Sequence, residues 1–188
     1  RAMHPPATPG VRVTGPVPGA PGPRIADCSS VSRATRPTMR PLPTPDRMAA
    51  LVSGVTETML GLSFVPDANG QGLESLVWRT AVLPIPGQQP ITVGLSTDRN
   101  GCAQLSAAMF GCENDKVDQS MMDDSLRELV NMTAGLVKST MALDQALGLP
   151  RIVDGKHVPP RPGSEPGHSV VLRGKEIGLV LWIFEGLL

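Results

Sequence analysis

The stretch DDSLRELVNMTAGLVKS, residues 123–139, repeats its apolar residues at the period of an α-helix. Asp118 is a good N-cap for it, and the helix is expected to run from there to about Gln145. Met122, Leu126, Leu129, Thr133, Leu136, Val137 and Met141 share one face, which predicts burial against a second layer of structure. Asp124, Glu128 and Asn131 stand at i, i+4 and i+7. At about 100° per residue they fall within about 60° of one another, and they are expected to flank the apolar face. Taken alone, an acid and an amide one turn apart are ordinary on a solvated helix edge.

Ahead of this helix, Met48, Leu51, Val52, Val55 and Met59 recur at helical spacing between Asp46, the expected N-cap, and Gly61, the expected stop. LSFV (62–65) reads as a short strand. LVWRTAVLPI (76–85) and ITVGLS (91–96), separated by Pro and Gly, read as a β-hairpin. Helix signals resume at Asp98, with Leu105, Ala108 and Met109 on one face and Gly111 as the stop. Gly101 weakens the first turns of that helix. After the long helix, Gly148 and Pro150 end the helical pattern, and a Pro/Gly-rich loop at 159–167 precedes two closing strands, HSVVLR and IGLVLWIF. Ile177, Leu179, Leu181 and Ile183 alternate with Val180, Trp182 and Phe184, so the last strand is apolar on both faces and belongs in the centre of its sheet. The order of helix, strands, two helices and strands predicts an α+β domain, with a layer of helices packed on a mixed or antiparallel sheet.

Residues 1–45 are different in kind. They hold 11 Pro, six Arg and one acid, Asp27, for a charge of +5. With few large apolar side chains, such a segment does not offset its ordering entropy by burial. It is expected to be a disordered tail with polyproline II character, leaving 46–188 as the folded domain. The rest of the chain has 11 basic and 16 acidic residues and offsets the tail, for a net charge of zero.

That balance does not imply a strongly anionic partner such as duplex DNA. Absence of Tyr, with only three Phe, also argues against base-stacking recognition of nucleic acid. Three Cys and three His match no metal-ligand spacing, and reduced thiols suit the expected cytoplasmic location. The longest apolar run, IGLVLWIF, has the length of a strand rather than of a membrane span, and no signal peptide is visible in the Pro-rich start. No nucleophile–base pair or Gly-rich phosphate loop points to small-molecule chemistry.

The motif stretch resembles the helix that marks the CheC/CheX/FliY family of chemotaxis phosphatases: Asp or Ser, three residues, Glu, two residues, Asn. Here these are Asp124, Glu128 and Asn131, and NMTAG with Gly135 and Lys138 is similar to the family's continuation. LSAAMFG (105–111), LPRIVDG (149–155) and VSGVTETMLG (52–61) resemble other family segments in the right order, so the likeness covers about residues 46–188. CheC and FliY carry the motif on two pseudo-symmetric helices. On the first helix here, Ser53 and Glu57 are followed by Leu60 where Asn would stand, so one motif remains, as in CheX.

The resemblance implies a hydrolase that removes the aspartyl-phosphate of a CheY-like response regulator in bacterial two-component signalling. It implies Asn131 as the residue that places the attacking water and Glu128 as the partner of the regulator's Lys. Asp124 and Gly135 would lie at the partner contact. Mg²⁺ would come from the regulator, with no cofactor or metal of the chain's own. The resemblance also implies a homodimer. A CheX-like module that docks a receiver or motor protein without hydrolysis is the alternative.

Overall fold

The computed structural model describes residues 40–67, 77–154 and 167–188. The tail up to residue 39 and most of the Pro/Gly-rich loop at 159–167 lie outside the described residues. Helix α1 (Pro45–Leu60) is followed by strands β1 (Val65–Pro66), β2 (Arg79–Ile85) and β3 (Ile91–Thr97). Helix α2 (Arg99–Phe110) and a short 3₁₀ turn (Asn114–Lys116) lead to the long helix α3 (Gln119–Thr140). Strands β4 (Arg151–Asp154), β5 (Gly167–Arg173) and β6 (Gly178–Glu185) complete an α+β fold.

The strands form one six-stranded sheet in the order β1-β5-β6-β3-β2-β4, and every pairing is antiparallel. The expected hairpin is present, with Arg79 opposite Thr97 and Ile85 opposite Ile91. The chain runs helix–three strands twice, with α2 between the halves. Exchanging β1 with β4, β2 with β5 and β3 with β6 reverses the sheet order without changing it. The fold therefore has an internal pseudo-two-fold, and β3 and β6 meet at its centre.

Inward residues of the strands, including Leu83, Ile91, Val93, Leu95, Leu179, Leu181 and Ile183, share one core with Met48, Val52 and Val55 of α1 and Leu126, Leu129 and Val137 of α3. Val180 and Trp182 of β6 point to the opposite face and cluster with Val82 and Val171, with Phe184 and Val153 packed beside them. β6 thus lies in the interior of the sheet with both faces buried, as its composition requires. Trp182 lies over Gly94, its register partner on β3. A Cβ at residue 94 would stand 2.0 Å from the indole ring, so only glycine leaves room for it. The indole Nε1 donates to Ser96 Oγ at 3.4 Å, and Ser96 Oγ shares a 2.8 Å hydrogen bond with Thr80 Oγ1.

Several boundaries differ from the sequence reading, each for a local reason. The N-cap of α1 is Thr44 rather than Asp46: Thr44 Oγ1 accepts from Arg47 N, Pro45 opens the helix, and Asp46 falls in the first turn. The stops at Gly61 and Gly111 are as expected, both in left-handed geometry. On α2 the buried side carries Cys102, Leu105 and Ser106, while Ala108 is exposed.

Helix α3 ends at Thr140, short of the expected Gln145. Ala142 takes the left-handed conformation (φ 47°), Leu143 N returns to Lys138 O and Ala142 N to Ser139 O. This is a Schellman stop, built on a residue that carries a Cβ penalty there. Arg40 offsets that penalty. Its guanidinium donates to the carbonyls of Met141 and Ala142. Its own backbone pairs with the side chain of Gln89 in both directions, at 2.9 and 2.8 Å. Pro43 is buried, and its carbonyl lies 3.0 Å from His168 Nδ1. Residues 40–44, which the composition groups with the tail, are therefore bound to the domain.

Arg40→Ala should lower unfolding stability by about 1–3 kcal/mol, the usual worth of charge-assisted hydrogen bonds left unmade. Gly94→Ala should cost about 2–3 kcal/mol or more, because the indole has to leave its place on β3. Denaturant unfolding followed by circular dichroism checks both. A Gly94→Ala protein as stable as the parent would show that the Trp182 stack is not a fixed part of the core.

Candidate partner-facing site on helix α3

Helix α3 begins at Asp118, whose carboxylate accepts from Met121 N at 2.8 Å. Its buried arc is Met122, Ser125, Leu126, Leu129, Val130, Thr133, Ala134 and Val137. Thr133 satisfies its hydroxyl on Leu129 O within the helix, so that polar residue belongs to the packed side. Leu136, expected in the core, is 38% exposed at the edge of the arc.

With that arc buried, Asp124, Glu128, Asn131 and Gly135 form a stripe about 60° wide on the opposite side of the helix. They face away from the core rather than flanking it, a correction to the sequence reading. Asp124 and Glu128 are exposed, and Asn131 and Gly135 are half-buried. Asp124 Oδ1 accepts from Arg127 Nη1 at 2.6 Å, one turn along the helix. Among the described residues, the side chains of Glu128 and Asn131 have neither a hydrogen bond nor an ion pair. Their polar groups are free to meet another molecule. Asp124 is engaged by a surface pair of the kind worth under about 1 kcal/mol, which a partner could displace. At Gly135, an added Cβ would meet nothing within 4 Å. Among the described residues, nothing comes close enough to require glycine there.

The pseudo-two-fold sets α1 against α3, and the two helices have gone different ways. Ser53 Oγ donates to Phe64 O at 2.6 Å and accepts from Phe64 N at 2.9 Å. Glu57 Oε1 accepts from Ser63 Oγ at 2.6 Å. Both residues are committed to the turn into β1, and half-buried Leu60 supplies no amide.

One cluster beside the motif was not found from the sequence. Asp123, the neighbour of Asp124, turns inward to Arg79 at the start of β2, with 3.3 Å between Asp123 Oδ1 and Arg79 Nε. Arg79 also pairs with Asp154 at the end of β4 and lies over the Trp78 ring at 4.5 Å, while Arg99 of α2 reaches the same ring at 5.6 Å. The thiol of Cys102 feels this cluster. Burial pushes it up to about 12, Asp98 and Asp123 add to the rise, and Arg79 opposes it. The available signal was the Asp123–Asp124 doublet. Neighbours on a helix point about 100° apart, so two adjacent acids beside an apolar face cannot both be on the outer stripe. Among the described residues, no three His, Cys, Asp or Glu side chains are arranged to hold a metal, and no helix is long and apolar enough to cross a membrane.

The family model for chemotaxis phosphatase CheX matches residues 79–172, from the Arg79 strand through the motif helix to β5. The chain belongs to the CheX family. Solved CheX proteins share its fold. That of Vibrio vulnificus is 19% identical, with a TM-score of 0.58 over 73% of this chain and 92% of its own. That of Desulfovibrio desulfuricans is 17% identical, with a TM-score of 0.56 over 73% and 95%. CheX of Borrelia burgdorferi, solved in a complex with CheY, BeF₃ and Mg²⁺, is 14% identical, with a TM-score of 0.59 over 74% and 96%. No curated protein sequence matches the chain significantly. In this CheX-family domain, α3 combines one fully packed face with an opposite face that carries an unpaired acid and amide.

Because the space at Gly135 is open, Gly135→Ala should raise stability by about 0.5–1 kcal/mol through helix propensity alone. A loss of stability, measured by denaturant unfolding, would show that the chain packs against this position after all.

Proposed function

We propose that the chain hydrolyses the aspartyl-phosphate of a CheY-like receiver, with the stripe on α3 inserted at the receiver's active site. The observation that carries this reading is the pair Glu128 and Asn131. Both present free polar groups on the outer face of a helix whose other face is fully packed. The CheX-family assignment supports the reaction class, and the Borrelia burgdorferi complex supports the choice of partner.

Hydrolysis of an acyl phosphate needs a water in line with the P–O bond and little covalent help from a protein. Water oxygen forms the new bond to phosphorus, and the bond to the receiver's aspartate breaks. Inorganic phosphate leaves, and a carboxylate remains. Receiver Mg²⁺ and Lys neutralise charge on the phosphoryl oxygens, so the phosphatase has only to place the water. A neutral amide suits that role, because the Asn131 carbonyl accepts a hydrogen bond from the water without repelling the phosphoryl group. Glu128 forms a charge-assisted bond to the receiver Lys and so sets the docking register. Gly135, with no side chain on the same stripe, lets the receiver backbone come close, and Asp124 exchanges Arg127 for a contact at the rim.

The test is the decay of a CheY-type receiver phosphorylated with a small-molecule phosphodonor, with and without the full chain. Asn131→Ala should lose acceleration on the order of 10²-fold while binding changes little, because the amide acts on the water rather than on docking. Glu128→Ala should weaken both binding and turnover. Both residues lie off the core, so circular dichroism should be unchanged for each. If the two variants match the parent rate, the assigned site is wrong. A parent that binds the phosphoreceiver without speeding its decay would instead be a non-catalytic docking module.

A further inference from the structure

Apolar packing seats α3 on the sheet through its buried arc, and a polar tie to the sheet adds a directional restraint on rotation about the helix axis. Among the described residues, the contact between Asp123 and Arg79 is the one ion pair or side-chain hydrogen bond that joins α3 to the sheet. It is well placed to fix rotation. Asp123 points about 100° around the helix from Asp124, toward β2 and β4. The side chains of Arg79 and Asp123 are 13% and 19% exposed, and Arg79 Nε and Asp123 Oδ1 are buried and make no hydrogen bond, so the 3.3 Å ion pair is what compensates their burial. Asp154 and the Trp78 ring hold the guanidinium from two further directions, so Arg79 is a fixed post rather than a swinging side chain.

We infer that Arg79 and Asp123 are positioning residues: their buried pair sets the rotation of α3 and thereby aims Asn131 and Glu128 at the partner. This rests on the function proposed above. Helix geometry gives the pair leverage. Side-chain tips on a helix lie about 5–6 Å from its axis, so a roll of about 10° moves the Asn131 amide by about 1 Å. A misplacement of that size can cost on the order of 10²-fold in rate.

Asp123→Asn, which removes the charge and keeps the volume, is the main test. Arg79→Lys, which keeps the charge in a different shape, is the second. Two readouts are taken at a temperature where the melting curve shows each variant folded: the side-chain amide NMR signals of Asn131, and kcat and KM on the phosphorylated CheY-type receiver. Asp123→Asn should shift the Asn131 amide signals and lower kcat about 10-fold or more, with KM within about twofold. Arg79→Lys should recover the greater part of the parent kcat. A folded Asp123→Asn protein with unshifted Asn131 signals and parental kcat would overturn the inference and leave the pair a stability element only. If the parent itself does not hydrolyse the phosphoreceiver, the proposed function fails on its own account. The amide signals then decide the positioning role alone: a shift supports it and no shift overturns it.

Discussion

Strands β3 and β6 come from different halves of the chain, and their pairing from Ile91–Glu185 to Thr97–Leu179 joins those halves into one sheet. Every later feature depends on that seam. It makes a single apolar surface broad enough for two helices, so α1 and α3 share one core instead of each needing its own. On the other face it requires Trp182 to lie where a side chain on residue 94 would be, which explains a glycine in the middle of a central strand. Because the seam lies on the pseudo-two-fold, it also places α1 and α3 as counterparts, each next to a similar set of strands.

Equivalent placement has not produced equivalent chemistry. On α1, the Ser and Glu of the pattern are drawn into the turn that follows the helix, through Phe64 and Ser63. On α3, the turn that follows is built differently: a Schellman stop closed by Arg40 from the segment preceding α1. That stop uses backbone carbonyls and an arginine from elsewhere, so it takes nothing from Glu128 or Asn131. The motif helix is thus tied near its start through Asp123 and at its end through Met141 and Ala142, and the residues between the ties are left free on the outer face. A helix secured at both ends suits a function that depends on presenting one amide at a definite position to another protein.

Much of this fold can be read from the chain itself. Period-3.6 patterns after Asp98 and Asp118, period-2 patterns around Pro86 and Gly87, and the two-sided apolar run at 177–184 are local signals, each produced by which face must leave water. The same holds for the motif: Asp124, Glu128 and Asn131 share a stripe because of helix geometry alone. The direction of that stripe was legible as well: at about 100° per residue the apolar positions of α3 lie about 180° from it, so an outward stripe, rather than a flanking one, follows from the sequence. Arg40 was misgrouped for a different reason. Its neighbours in sequence are prolines and arginines, and its partners, Gln89, Met141 and Ala142, are remote in the chain.

The amino-acid sequence by itself determined the elements, their order, the α+β class and the residues that distinguish α3, because propensity, capping and hydrophobic period act over a few neighbouring residues. Only the tertiary structure decided the fully antiparallel order β1-β5-β6-β3-β2-β4, the engagement of Ser53 and Glu57 and the release of Glu128 and Asn131. It also decided the inward turn of Asp123 to Arg79, 44 residues earlier in the chain. Those outcomes rest on contacts between distant segments, where the position of a partner, rather than the identity of a residue, determines whether a polar group is used within the fold or left for another molecule.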